Sequence, residues 1–293
     1  LFPKVPDQHK IGKPLVPNGL GVIYVLFTTV YLFLIYFSGI AKASNGVSAP
    51  LTLAVCILFG GFMGLLDDWM DLKWRYKAFM PLIAALPLIY LAIEDGLRTS
   101  ISLPFIGLIE FGDAYYFLVI PLIVMIVTNT VNQLGGLNGL ETVCPAIILI
   151  GLMALSQFSY LILLLGPLIL WLALAALNFN GKIFVGNIGS FAIGMTIASF
   201  AVITDLKLSL MISIIPYILN SVLILFTAFF FKKRASVSLE GNKLVSNQRQ
   251  SLVTLIAYRR PMTERKIVAL ISLLMVIFVA ITVLIELPWP LLT

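Results

Sequence analysis

The chain has 293 residues, 60% of them hydrophobic and only 11% charged, with a mean hydropathy of +1.07. A soluble domain carries about 25% charged residues, so a water-soluble protein is excluded and the composition reads as an all-α, polytopic membrane bundle. One histidine, His9, and two cysteines in apolar stretches, Cys56 and Cys144, exclude multi-histidine zinc motifs, argue against a Ser-His-Asp triad and leave no disulfide framework.

Apolar runs of about 20 residues mark membrane-spanning helices. In chain order they are 19–40, 49–66, 78–93, 115–131, 140–156, 160–178, 187–204, 208–231 and 267–287, nine in all. The third is short and holds Pro81 and Pro87, which predicts a tilt or kink. None alternates polar and apolar residues, so a closed β-barrel is not expected. The chain begins at Leu1 without a cleavable signal pattern, and further residues are expected upstream.

Nine spans place the connections 1–18, 67–77, 129–142, 179–186 and 232–266 on one side. These hold 16 of the 19 Lys and Arg residues; only Lys42, Arg98 and Lys207 fall opposite. The positive-inside rule makes the first set cytoplasmic. Seven of the 13 acidic residues share that side. The net charge of +6 is therefore a topology signal, and no nucleic-acid partner is expected. The chain reads as a single transmembrane domain over 1–293. The basic 232–266 segment is either a topology and lipid-attraction signal or a wall of cations for a polyanionic substrate.

Polar residues collect on the cytoplasmic side in three clusters. The second span ends in Gly64-Leu65-Leu66-Asp67-Asp68-Trp69-Met70-Asp71, followed by Lys77. Adjacent carboxylates repel unless a cation lies between them, and Mg²⁺ takes one or two carboxylates plus phosphate oxygens. Asp67 and Asp68 thus suit a metal–phosphate site, or else cap a helix; Lys77 either snorkels or holds a phosphate.

The second cluster runs from Asn129 through Asn132, Gly135, Gly136, Asn138 and Gly139 to Glu141. Asn129 and Asn132 are spaced to share a helix face. Three asparagines and three glycines between spans either line a polar cavity, offering donors and acceptors to a nucleobase edge, or form a capping turn. The third cluster is Asn178 to Ser190. Its glycines and Asn187 precede a span and suit an anion- or metal-facing corner. Phe184 stacks on a base or is an interfacial aromatic.

Together these motifs resemble the polyprenyl-phosphate N-acetylhexosamine-1-phosphate transferases. The diacid segment through Trp74-Arg75-Tyr76-Lys77 is similar to their first cytoplasmic signature. Asn129-x-x-Asn132-x-x-Gly135-Gly136-Leu137-Asn138-Gly139-Leu140-Glu141 resembles the second, and Phe184-Val185-Gly186-Asn187 the third. Trp74 to Lys77 and the Asn-Gly-Leu-Glu ending resemble most the archaeal and eukaryotic dolichyl-phosphate GlcNAc-1-phosphate transferases. The family fold has ten helices, so the resemblance implies that the first is absent from this chain.

The resemblance implies transfer of GlcNAc-1-phosphate from a UDP-sugar to a polyprenyl phosphate, with Mg²⁺ (or Mn²⁺) as cofactor. The active site would face the cytoplasm, in the cell membrane or, in a eukaryote, that of the endoplasmic reticulum. It assigns catalysis to Asp67, Asp68 and Lys77, and metal ligation to Asn132, Asn187, Asp67 and Asp68. Gly136 and Asn138 would read uracil and Phe184 would stack on it, with Asn129 and Glu141 also on the substrate side. A homodimer is compatible with it. Two departures stand out. Asn187 occupies a position where the family commonly has a metal-binding aspartate. The histidine motif of bacterial members is missing from 232–266, leaving Arg249, Arg259 and Arg260 as candidate replacements. The competing readings are a phospho-MurNAc-pentapeptide transferase, a lipid transporter and a non-catalytic paralogue.

Overall fold

The computed structural model describes residues 2–40, 47–103, 107–231 and 236–286. Lys42, the first residues of the 232–266 connection and the last residue of the 267–287 span lie outside them. The chain opens with a hairpin, β1 (Lys4–Pro6) and β2 (Leu15–Pro17). Then follow α1 (Gly21–Phe37), α2 (Ala49–Met70), α3 (Trp74–Ala84) and α4 (Leu86–Glu94). A second hairpin, β3 (Ser100–Leu103) and β4 (Gly107–Glu110), leads to a π-helical turn at Tyr115–Val119 that continues as α5 (Ile120–Gln133). The rest is α6 (Leu140–Leu155), α7 (Phe158–Phe179), α8 (Gly186–Ile203), α9 (Lys207–Ser213), α10 (Ile215–Phe231), hairpin β5 (Ser238–Glu240) and β6 (Lys243–Val245), α11 (Leu252–Ile256) and α12 (Glu264–Glu286).

The chain is mostly helical, with three short antiparallel hairpins in polar connections. Each of the nine apolar runs contains helix. Among the described residues, six helices are long and apolar enough to cross a membrane, and seven if the pair α9–α10, bent by 53°, forms one span. Gly21–Phe37 and Leu140–Leu155 are apolar but shorter. Pro87 gives the expected break: it lacks an N–H to donate and its ring crowds the carbonyl four residues back, so α3 passes to α4 at Ala85.

Two helices also outrun their apolar segments. Nothing in Gly64–Met70 breaks a helix, and α2 continues through Asp67 and Asp68 until Asp71 turns left-handed at φ 46°. Likewise α5 carries Asn129 and Asn132 within its last two turns. These residues belong to helices, not to the loops 67–77 and 129–142.

At the centre stands α8, buried over nearly its full length. Its Gly, Ala and Ser residues let neighbouring backbones approach closely, the usual basis of helix association in membranes. A Cβ on Gly64 would collide with the backbone of Asn187, and one on Gly21 with that of Gly189. The three helices α1, α2 and α8 therefore converge at the N-terminal end of α8. Tyr24 of α1 fixes their rotation by a 2.8 Å hydrogen bond with Thr196 and an edge contact with Trp171.

Candidate active site

The close approach at Gly64 places the last turn of α2 against the first turn of α8. The Asp68 carboxylate consequently accepts the N–H groups of Asn187 (3.2 Å) and Ile188 (3.3 Å). A carboxylate is favourable there, where a helix presents unsatisfied N–H groups and the positive end of its dipole. Asp68 thus caps α8 rather than its own helix. Gly186, at φ 69°, has no room for a side chain: a Cβ would lie 2.8 Å from Asp68 Oδ2 and 3.1 Å from Asn18 Oδ1. Both oxygens face this point, so Asn18, from the strand end of the first hairpin, belongs to the site as well.

Asp67 points the other way and is buried, with 4% of its surface exposed. Its Oδ1 accepts the Leu72 N–H at 3.1 Å and pairs with Lys77 Nζ at 2.6 Å. Oδ2 has no hydrogen-bond partner among the described residues. Lys77, on the first turn of α3, is part-exposed and also lies 3.9 Å from Asp71.

From α5, Asn132 donates to Asn187 Oδ1 (2.9 Å) and Ser190 Oγ (2.8 Å). Asn129 instead donates to the carbonyls of Met125 and Ala78, tying α5 to α3. Although three residues apart, they meet different neighbours, because α5 packs between α3 and α8.

Asn138 is also tied to distant segments. It is buried, and its amide nitrogen donates to Asp7 (2.8 Å) and Glu264 (3.0 Å), while its backbone N–H donates to Glu264 at 2.7 Å. It fastens the second cluster to the first hairpin and to α12, and its Oδ1 has no partner among the described residues. Glu141 stands on the first turn of α6. Its Oε1 accepts from Asn178, and its Oε2 lies 3.6 Å from where a Cβ of Gly135 would be. Asn178, fully buried, is the organiser of this corner: it accepts from the Gly139 N–H and the Thr142 hydroxyl and donates to Glu141 and Ile183.

Gly136 lines a cavity of about 660 Å³ with His9, Gly135, Asn220, Gln250 and Ser251. Asn220 spans its two walls, donating to the Gln133 carbonyl at 3.5 Å and accepting the Leu252 N–H at 3.0 Å. Phe184 is part-buried, and its backbone is bonded to Pro17 and Leu20. Arg249 and Arg259 sit over the ring of Tyr258, at 4.1 and 5.2 Å from its centroid, and Arg260 is exposed. No described contact joins these arginines to the Asp67–Asn187 cluster.

The site therefore gathers Asp67, Asp68, Lys77, Asn132 and Asn187 from four helices. Sequence reasoning missed Asn18, Asp7, Asn220 and Glu264. Asp7 and Glu264 carried one signal, as acidic residues in otherwise basic connections. Asn220 carried another, as an amide inside an apolar run.

The sequence profile of glycosyl transferase family 4 matches residues 50–205. Two relatives are named, provisionally, UDP-N-acetylglucosamine–dolichyl-phosphate N-acetylglucosaminephosphotransferase. That of Sulfolobus acidocaldarius is 30% identical over 226 residues, covering 74% of this chain and 67% of the relative. That of Saccharolobus solfataricus is 29% identical over 295 residues, covering 96% and 87%. The Schizosaccharomyces pombe protein of that name is 25% identical over 262 residues, covering 73% and 58%.

Proposed function

The chain belongs to glycosyl transferase family 4, and from that membership we propose that it transfers GlcNAc-1-phosphate from UDP-GlcNAc to a dolichyl-type polyprenyl phosphate, releasing UMP. The observation that carries this reading is the convergence of Asp67, Asp68, Lys77, Asn132 and Asn187 at the N-terminal end of α8. A multi-pass bundle suits a lipid acceptor, and the concentration of Lys and Arg in the connections on this side supports a cytoplasmic site.

The acceptor's phosphate monoester has a second pKa near about 6 and is largely ionised at neutral pH. It attacks the β-phosphorus of the sugar nucleotide and UMP leaves, with no need for a strong base. The protein's task is to position two anionic groups and to offset their charge, as in other phosphoryl transfers. Lys77 supplies a mobile ammonium for a phosphate oxygen. Asp68, fixed by two backbone N–H groups, orients the reacting end of the site. Gly136 offers its backbone to the nucleotide at the cavity wall, and Phe184 offers a ring.

The residues present fit a divalent cation. Hard ions such as Mg²⁺ bind oxygen; Asp68 and Asn18 both present oxygens at Gly186, and the neighbouring Asp67 keeps a buried Oδ2 with no partner among the described residues. When bound, Mg²⁺ would offset charge on the diphosphate.

The test is UMP release by purified protein in detergent with polyprenyl phosphate and Mg²⁺, comparing UDP-GlcNAc with UDP-MurNAc-pentapeptide. UMP is expected from UDP-GlcNAc alone. Asp68→Asn should lower kcat by roughly 100-fold or more, the scale of losing an oriented electrostatic group, with little change in UDP-GlcNAc binding. UMP from the muramoyl donor instead, or from neither donor, would overturn the reading.

A further inference from the structure

Resting on that reading, we propose that Lys77 is a place-holder cation. It neutralises Asp67 while the site is empty, and a divalent cation enters only together with the nucleotide diphosphate, as Lys77 passes from Asp67 to a phosphate oxygen. The argument starts from Asp67. Its side chain is 2% exposed, it has one ammonium 2.6 Å from Oδ1, and its Oδ2 has no partner among the described residues. A buried carboxylate stripped of its counter-ion is strongly unfavourable, so this group keeps a cation at all times and has an oxygen ready for another.

Lys77 is built to leave. Its side chain is 28% exposed, and its second contact is Asp71, 3.9 Å away and fully in solvent. Unlike a structural lysine it is bonded to no backbone carbonyl among the described contacts. The remaining donors do not compensate for its charge. Asp68 is held by two N–H groups, and Asn187 is neutral, with its Oδ1 taken by Asn132.

With Lys77 in place, the two aspartates and the ammonium sum to one negative charge. Among the described residues no group of three His, Cys, Asp or Glu side chains can hold a metal. A bare divalent ion therefore meets little net charge and a competing ammonium. An ion arriving on a diphosphate brings most of its own anionic ligands, the usual way Mg²⁺ is held, and its phosphates give Lys77 a new partner.

The experiment is titration of the purified full chain with Mn²⁺, read by electron paramagnetic resonance, with and without UDP and corrected for protein-free Mn–UDP. Wild-type protein should bind Mn²⁺ at least about tenfold more tightly with UDP. Lys77→Met should tighten nucleotide-free binding by about tenfold, or ~1.4 kcal/mol, within the range for removing one like charge about 4 Å away. Lys77→Arg should keep the wild-type value, which guards against misfolding as the cause. Asn187→Asp should also tighten nucleotide-free binding with Lys77 present, and Asp67→Asn should abolish the effect of Lys77→Met. Equal Mn²⁺ affinity with and without UDP, or no gain in Lys77→Met, overturns the proposal. The nucleotide-free arm does not depend on turnover, so failure of the transferase reading, seen as absent UMP release, is distinguishable from failure of the counter-ion exchange.

Discussion

Two lysine–aspartate pairs stand towards opposite ends of α8, a helix of 18 residues and so about 27 Å long. At the far end, Lys207 is 2% exposed and pairs with Asp205 at 2.7 Å. Its ammonium also donates to the carbonyls of Arg98 and Ser100 and lies 4.2 Å from the ring centroid of Tyr115. Arg98 closes the arrangement on Asp205 at 3.1 Å. At the near end, Lys77 has two carboxylates and solvent, and its partner Asp67 keeps an oxygen without a partner among the described residues. The ion pair itself is the same chemistry. What differs is the saturation of the lysine: Lys207 has its donors spent on fixed backbone and locks the second hairpin to α9, whereas Lys77 is bonded to no carbonyl among the described contacts and is exchangeable. A charged pair in a membrane bundle is informative about function through what it leaves unmade.

The largest effect should break that comparison at its structural end. Lys207→Met removes the hub of the far cluster and leaves carbonyls without a donor. Asp205 keeps Arg98, but a buried carbonyl left without its donor costs about 1–3 kcal/mol, so thermal unfolding in detergent should move to lower temperature. The turnover of protein that remains folded should be unchanged. Lys77→Met should lower kcat and, because it strips buried Asp67 of its counter-ion, also lower the unfolding temperature. A divalent cation with UDP should restore that temperature, which no cation should do for Lys207→Met. If Lys207→Met abolished turnover without lowering the unfolding temperature, the far cluster would be functional and the distinction by saturation would fail.

Sequence and structure agree best where apolar runs are long, and least where a helix continues under charge. The runs at 49–66 and 115–131 were read as ending where polar residues begin. Hydropathy marks the edge of the apolar segment, whereas the helix ends where its backbone turns, at Asp71 and Leu134. The diacid and Asn132–Asn187 were legible because such groups are costly beside lipid unless they serve a site. The roles of Asn129 and Asn138 were not legible. Helical spacing tells which face a residue occupies but not which neighbour stands there, and Ala78, Asp7 and Glu264 arrive from distant segments. The hairpins escaped for a related reason: strands of three or four residues, two of them ending in Pro6 and Pro17, carry too short a pattern to read.

An intermediate effect tests how the near pair is held. Gly64→Ala inserts a methyl group into the Asn187 backbone, and overpacking of this kind costs about 1–3 kcal/mol. More tellingly, it pushes apart the N–H groups of Asn187 and Ile188 and the carboxylate they fix, so kcat should fall by more than the stability change explains. Full activity in Gly64→Ala would mean that Asp68 does not depend on the close approach of α2 and α8.

The smallest effect concerns the arginines nominated for the last connection. If the exposed guanidinium of Arg249 acts mainly through the ring of Tyr258, it contributes about 0.5–1 kcal/mol. Arg259 occupies the same ring, so Arg249→Ala leaves Tyr258 with a cation partner. The KM for UDP-GlcNAc should then rise no more than about fivefold, the ratio corresponding to 1 kcal/mol, with kcat retained. The double variant Arg249→Ala, Arg259→Ala should exceed the sum of the two single effects on unfolding temperature, because only then is Tyr258 left without either guanidinium. A rise in KM of tens-fold in Arg249→Ala alone would assign that residue to the anionic donor and move it from the saturated kind of contact, like Lys207, to the exchangeable kind represented by Lys77.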